Sequence, residues 1–526
     1  MAPAASRPVA NLERYFLGLG NAHMYYNVTM GIRLQFQPHP ESYGFGPKKL
    51  PRNKDQWLAL LVPALAIIVS RHPMMSTFIA GHLTATPTFQ AMSSIDLSKI
   101  IAVDSVQQPG DIAKFLEKEH DKPFDLGNHE VPLWRIMIVH VVDDDTFYLL
   151  YIFHHSLCDG RSSAAFTEQL IVELNHPSKK DSAPLPLSSP WTITCPNTAP
   201  LPLALEQRVD CTPRLGTQVH HLLRQVLMPA WLKKTLEPQF WAGDYPATNS
   251  NETQLGIMVL TPEETSQVIA AARREHTTVN SILFTSFLFA IKAVFLSSSH
   301  NSSKDGKKGA TRTTTTTTKD LFSASTVACP RSSQLFSSPV EQSEQVLCIA
   351  DLWTHGHAIE LETGFWKFTR EYHAQVVHHV RTPGKLQRLL ENYGTLRYMP
   401  GSPEGYEKAL QQRLVRQQHG REGTMRTSNI GVGWKQQEEG EEGGKVAFKV
   451  LHPLFTMSAV TMGPVFTFCV ATGEGGSLVV SNTWQRGAVR SRESAERVLR
   501  EFRRIVGEAS QEGKEGYLFR DVLSSC

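Results

Sequence analysis

An α/β protein built as two lobes is what the sequence predicts, and three observations predict it. The chain has 526 residues, 41% of them hydrophobic and 20% charged, enough apolar material for more than one buried core and the wrong balance for a disordered or fibrous class. Strand-like and helix-like apolar segments alternate in both halves. Between the halves, residues 176–215 carry Pro177, Pro184, Pro186, Pro190, Pro196, Pro200, Pro202 and Pro213, a density that extended helix or sheet pairing does not tolerate.

Taken in order, the first residues, MAPAASRPVANLERYF, lack a basic start followed by an apolar stretch, so no secretory signal is expected. The apolar run 57–69, interrupted by Pro63, and the run 282–296, interrupted by Lys292, fall short of the ~20 residues that span a bilayer. Both are expected as buried core helices. Residues 146–155, TFYLLYIFHH, are short, aromatic and branched, as in a strand covered on both faces. A helix is expected over 161–174. In the second half, 278–296 reads as a long apolar helix, and 465–470 and 477–482 as strands around the turn TGEGG. The polar, repetitive residues 297–319 offer nothing to bury and are expected as a disordered insertion, with 436–445 an exposed loop. The division expected is an N-terminal lobe over 1–175, a linker over 176–215 and a C-terminal lobe over 216–526. No period of 20–50 residues repeats, which argues against solenoids and propellers.

Charge and cysteines narrow the function classes. Lys plus Arg number 53 and Asp plus Glu 50, a net charge of +3, too near neutral for the basic footprint of a nucleic-acid binder. The 7 cysteines are scattered and form no CxxC pair, so neither a disulfide framework nor a zinc ribbon is expected. A reducing, cytoplasmic setting follows. Sequons begin at Asn27, Asn251 and Asn301, but a three-residue pattern carries little weight without secretion.

The residues that point to chemistry are His154, His155, Ser156, Leu157, Cys158, Asp159 and Gly160, a pattern HHxxxDG at the end of the expected strand 146–155. Neighbouring strand residues point to opposite faces, so one of the two imidazoles is free to meet a cleft. A neutral imidazole, with an ordinary pKa near 6.5, accepts a proton from a hydroxyl at physiological pH. His220-His221 and His378-His379 are also paired, but no Asp-Gly follows at this spacing, and both read as helix histidines. Gly18-Leu-Gly20 and Gly431-Val-Gly433 lack the rest of a dinucleotide fingerprint. His355 and His357, near Asp351 and Glu360, have no third ligand at a recognisable spacing for zinc. No GxSxG elbow is present.

HHxxxDG resembles the active-site motif of the superfamily that holds chloramphenicol acetyltransferase, plant acyl-CoA-dependent acyltransferases and the condensation domains of peptide synthetases. A narrower likeness is to fungal alcohol acetyltransferases. It is carried by LERYFLGLGNAHMYYNVTMGIRL (12–34), ALAIIVSRHPMM (64–75), PFDLGNHEVPLWRIMI (123–138), REHTTVNSILFTSFLFAI (274–291), FWKFTREYHAQV (365–376), SNIGVGW (428–434) and GGSLVVSNTWQRGAV (475–489), in the family's order. The resemblance implies a chloramphenicol-acetyltransferase-like sandwich, each lobe a mixed sheet flanked by helices, with a channel between lobes. It implies an acyl-CoA-dependent O-acyltransferase that moves acetyl from acetyl-CoA to a small-molecule alcohol, with no bound cofactor or metal. His155 would be the general base. Asp159 would hold the loop by pairing with an arginine, for which Arg331 is the first candidate, and Gly160 would allow the turn. His154 would pack or hydrogen-bond in the loop. Ser428 and Asn429 would lie along the channel or face the oxyanion, although the plant motif DFGWG is absent. The alternatives are a condensation-type catalyst using a carrier-protein thioester and a non-catalytic binding relative. A monomer is expected. Peripheral contact with the endoplasmic reticulum or lipid droplets stays open, through amphipathic segments such as 494–506.

Overall fold

The computed structural model describes residues 4–37, 49–176, 187–195, 198–223, 228–229, 232, 240–296, 321–338, 340–399, 402–416, 418–434 and 447–524. The segments 297–319 and 436–445 lie outside the described residues. Two mixed sheets dominate. The first has five strands in the order Phe448–Met457, Val28–Phe36, Thr146–Phe153, Trp134–Val141 and Ile101–Val106. Its neighbours run antiparallel except for the last pair, which is parallel. The second has six strands in the order Thr253–Leu260, Leu478–Gln485, Phe466–Gly473, Met425–Gly433, Leu321–Ala328 and Ala350–Ala358, and the pairs made by Met425–Gly433 are parallel.

Each sheet has its own core. Every residue of Thr146–Phe153 is buried, and the strand feeds two of them by alternation. Phe147, Leu149, Tyr151 and Phe153 join the cluster that includes Trp57, Leu61 and Leu65 of the helix Lys54–Arg71. Tyr148, Leu150 and Ile152 join Ile112 and Leu116 on the other face. In the second lobe the helix Val279–Phe295, capped by Thr278 accepting from the Ser281 N–H, lies in the core with Phe502 and Ile505 of the helix Arg492–Ser510. That helix therefore turns its apolar residues, including most of those in 494–506, into its own lobe. No single helix among the described residues is long and apolar enough to cross a membrane.

Two features differ from the sequence reading. The strand Phe448–Met457, placed by sequence in the C-terminal lobe, pairs along Val28–Phe36 in the N-terminal sheet. It is an edge strand, so Pro453 leaves no ladder bond unmade. His120 fastens it: one ring nitrogen meets Thr456 Oγ1 at 2.8 Å and the other Asn27 Oδ1 at 2.7 Å. The proline-dense linker also pairs. Leu187–Ser189 and Thr192–Thr194 form a small sheet with Ser94–Asp96, because the strands are only three residues long and Pro190 falls in the turn between them. Two of the sequon asparagines are buried, Asn27 donating to the Glu119 carbonyl and Asn251 to the Ala459 carbonyl.

Candidate active site

The strand Thr146–Phe153 ends immediately before the two histidines, and the helix Gly160–Asn175 begins immediately after Asp159. The six residues between, His154 to Asp159, form a short buried connection. Asp159 caps the helix, its Oδ1 accepting from the Ser162 N–H at 2.9 Å. Its Oδ2 accepts from Arg331 Nη2 and from the Cys348 N–H, each at 2.9 Å. Arg331 is itself 3% exposed. It also donates to the Glu341, Glu344 and Val346 carbonyls and to Ser162 Oγ. The carboxylate thus has its charge and both oxygens committed to the loop and to the opposite lobe.

His155 is held in one tautomer. Its Nδ1 lies 3.1 Å from the Cys158 carbonyl, which can only accept, so Nδ1 carries the proton and Nε2 keeps its lone pair. Phe16 stacks on the ring with centroids 4.1 Å apart, and Tyr25 lies at 6.0 Å. Burial lowers its pKa to about 4, which keeps the imidazole neutral at physiological pH. His154 is held in the other tautomer, since its Nδ1 accepts from the Ser156 N–H at 3.2 Å. Its Nε2 packs on Gly20, where a Cβ would stand only 2.8 Å away, and burial lowers its pKa to about 3.

His155 lines a cavity of about 630 Å³ whose walls come from both lobes. The strand Met425–Gly433 contributes Arg426, Ser428 and Asn429 to the polar wall. Its alternation places Met425 in the C-terminal core and Arg426, Ser428 and Ile430 along the cavity. Ser428 makes no side-chain hydrogen bond among the described residues, while Asn429 Oδ1 accepts from the Gly431 N–H at 2.8 Å. Asn429 joins the lining where the pairing register with Phe466–Gly473 shifts. Gly160 has a packing reason: a Cβ there would lie 2.8 Å from Ile430 Cγ2 and 3.3 Å from Phe455 Cζ. Close approach of these side chains from two strands to the start of the helix, rather than a left-handed turn, requires the glycine.

The structure therefore brings His155, Asp159, Gly160, Ser428 and Asn429 to one cavity. Arg331 stands behind them on Asp159, and His154 is turned into packing. Phe16, Tyr25 and Arg426 escaped the sequence reading. The signal for Arg426 was present, because it stands two residues before Ser428 and shares its face of the strand. Phe16 and Tyr25 carry no local signal of their contact with a residue some 130 positions away. His355 and His357, considered for a metal, bond instead to Ser323 Oγ and Thr354 Oγ1.

A family model for alcohol acetyltransferases matches residues 113–506. The chain belongs to the alcohol acetyltransferase family. Among curated proteins, it is 26% identical over 227 residues to the probable alcohol acetyltransferase FCK4 of Fusarium pseudograminearum, a stretch covering 42% of this chain and 46% of that protein. It is 26% identical over 154 residues to the probable alcohol acetyltransferase crmB of Aspergillus fumigatus, covering 27% and 33% respectively. The matched stretches thus span less than half of these relatives. Among solved structures, the TRI3 trichothecene 15-O-acetyltransferase of Fusarium sporotrichioides superposes with a TM-score of 0.64 at 12% identity, over 96% of this chain and 95% of that one. The epimerization domain of tyrocidine synthetase B follows at 0.54 and 12%, over 100% and 98%. The condensation domain of the polyketide synthase MokA gives 0.51 and 12%, over 97% and 99%. These likenesses establish the two-lobed acetyltransferase and condensation-domain fold.

Proposed function

We propose that this family member is an acyl-CoA-dependent O-acyltransferase that moves acetyl from acetyl-CoA to an alcohol, with His155 as general base. The observation that carries the reading is the fixed tautomer of His155 beside a cavity shared by both lobes. With Nδ1–H held by the Cys158 carbonyl, Nε2 is the nitrogen that takes a proton. The acceptor hydroxyl gives its proton to Nε2 as its oxygen adds to the thioester carbonyl. The tetrahedral adduct then collapses, the C–S bond breaks, and the imidazolium returns the proton to the departing CoA sulfur.

The surrounding residues fit supporting roles. The Ser428 hydroxyl, without a hydrogen bond among the described residues, is available to the oxyanion, and Asn429 Nδ2 is available beside it. Asp159 acts at a distance, keeping the loop in register through Arg331. Because the chain as a whole is near neutral, attraction for anionic CoA is assigned to local cations such as Arg161, which lines the cavity and makes no salt bridge among the described residues. The protein is placed in the cytoplasm on the same reading.

The test is release of free CoA thiol from acetyl-CoA by the purified protein across a panel of alcohols. Release that requires an alcohol, with the ester recovered in equal amount, supports the reading. Release at the same rate without an alcohol, or none with any alcohol, overturns it.

A further inference from the structure

The cavity lining is of two unlike kinds. Around His155 its walls are aromatic and aliphatic, with Phe16, Leu19, Val28 and Phe455. Elsewhere in the same cavity stands a cluster of four charges, Arg413, Glu422, Arg426 and Asp351, each with a side chain 19–28% exposed. Arg413 pairs with Glu422 at 3.1 Å and Arg426 with Asp351 at 2.7 Å, so the cluster is neutral in sum. Arg426 spends Nε on Ser325 Oγ and Nη2 on Asp351, with Glu422 at 3.6 Å. Its guanidinium lies over the Trp353 ring, 5.4 Å from the centroid. Nη1 has no hydrogen-bond partner among the described residues. Neither has the hydroxyl of Tyr15, which lines the cavity in the field of Arg413, Glu422 and Arg426.

Size and polarity together restrict what fits. At about 630 Å³ the cavity falls within the roughly 300–1,000 Å³ that encloses drug-sized ligands, room for an acceptor larger than a short-chain alcohol beside the thioester end of the donor. A neutral cluster has no net field to attract an anion or a cation. It offers instead two unspent hydrogen-bond donors, one of them charge-assisted, beside one unpaired acceptor, Asp351 Oδ1. A ligand filling this space with hydrocarbon alone would strand both donors away from water, which is costly.

We propose that the acceptor is a bulky, mostly apolar alcohol bearing a second, hydrogen-bond-accepting group such as a ring carbonyl, and that Arg426 and Tyr15 read that group. This rests on the acyl-transfer reading above. The reacting hydroxyl would sit at His155 and the second group at Arg426 Nη1, so one rigid molecule is held at both ends. The pairing sets both size and orientation, and hence which hydroxyl of the acceptor is acylated.

Matched pairs of fused-ring alcohols, with and without a ring ketone at increasing distance from the hydroxyl, test this together with 3-methylbutan-1-ol. CoA release is measured for each with acetyl-CoA and the full-length protein. The expectation is that at least one keto alcohol exceeds its deoxo partner by about tenfold or more in kcat/KM, since a site built to hydrogen-bond a group rejects the analogue lacking it. The ratio should shrink to within about threefold in Arg426→Gln. Tyr15→Phe, which removes a hydroxyl with no hydrogen-bond partner among the described residues, should lower the same ratio, and it serves if Arg426→Gln does not fold. The inference is overturned if every deoxo alcohol or 3-methylbutan-1-ol matches the keto alcohols, or if the preference survives both substitutions. Should no alcohol release CoA, the acyl-transfer reading fails on its own. Equilibrium binding of the same pairs then decides the inference, with a keto preference lost in the variants supporting it and equal binding of each pair overturning it.

Discussion

His154 and His155 are neighbours in sequence, both buried, both neutral, and opposite in every other respect. His154 accepts at Nδ1 from its own loop and turns Nε2 onto Gly20. His155 donates at Nδ1 to a carbonyl of the same loop and keeps Nε2 for a cavity. The difference comes from the turn that follows the strand: His155 meets Phe16 and Tyr25, while His154 meets Gly20 and Phe124. The two imidazoles therefore differ in which nitrogen is left free, and on the proposed reading that difference makes His155 the base and leaves His154 to packing.

The comparison breaks most sharply at His155. His155→Ala is expected to lower kcat by about 10²–10⁴-fold, the range lost with a general base, with a cooperative melt retained. His154→Gln is expected to lower stability and leave most of the rate, measured as CoA release and as thermal unfolding. Equal losses of rate in the two variants would erase the distinction. The next effect is Asp159→Asn. Asn still caps the helix, so the substitution acts at Oδ2, where the charge pair with Arg331 and the Cys348 N–H bond are lost together, and removing one partner of a buried pair costs about 3–5 kcal/mol. Urea unfolding should show this loss together with a fall in rate, because the loop that aims His155 is loosened. A fall in rate with unchanged stability would make Asp159 a direct participant instead.

Much of this was legible in the sequence because it is local. The strand 146–153, the Asp-Gly cap and the helix from 160 follow one another within some thirty residues, and periodicity and capping chemistry read such runs well. The pairing of Asp159 with Arg331 spans 172 residues and was reachable only through family resemblance. Phe448–Met457 was misplaced because its position in the chain puts it in the second half and does not state whose edge it joins. The short pairs inside 187–194 were missed because proline density says where long ladders cannot run and is silent about three-residue ones. Arg426 was missed because attention stopped at the glycine-rich segment beginning at 428, though the two-residue period of a strand extends back through it.

A smaller perturbation tests the packing side of the pair. Gly20→Ala sets a Cβ 2.8 Å from His154 Nε2, and overpacking of this kind costs about 1–3 kcal/mol. The helix Asn11–Asn21 gains back up to about 1 kcal/mol from alanine, so the net loss should be smaller than that of Asp159→Asn. Because His155 is positioned by Phe16 and Cys158 rather than Gly20, kcat should move less than tenfold. A larger drop would mean that the two imidazoles are mechanically coupled.

The finest distinction is one the two histidines should fail to show. Burial lowers His155 to about 4 and His154 to about 3, against about 6.5 in an unfolded chain. Between those values the unfolded state binds protons that the folded state refuses, so each contribution is fully present above about pH 6.5 and is lost as pH falls toward 4. The slope is about 1.4 kcal/mol per pH unit for each such group. Urea unfolding at intervals from pH 6.5 to 4.5 should give a shallower acid loss in His155→Gln and in His154→Gln, by the same amount in each. Only the first should also abolish CoA release, whose rate in the wild type should hold down to about pH 5 and fall as His155 protonates near 4. An acid limb centred near 6.5 instead would place His155 in contact with water and remove the burial on which its neutral form depends.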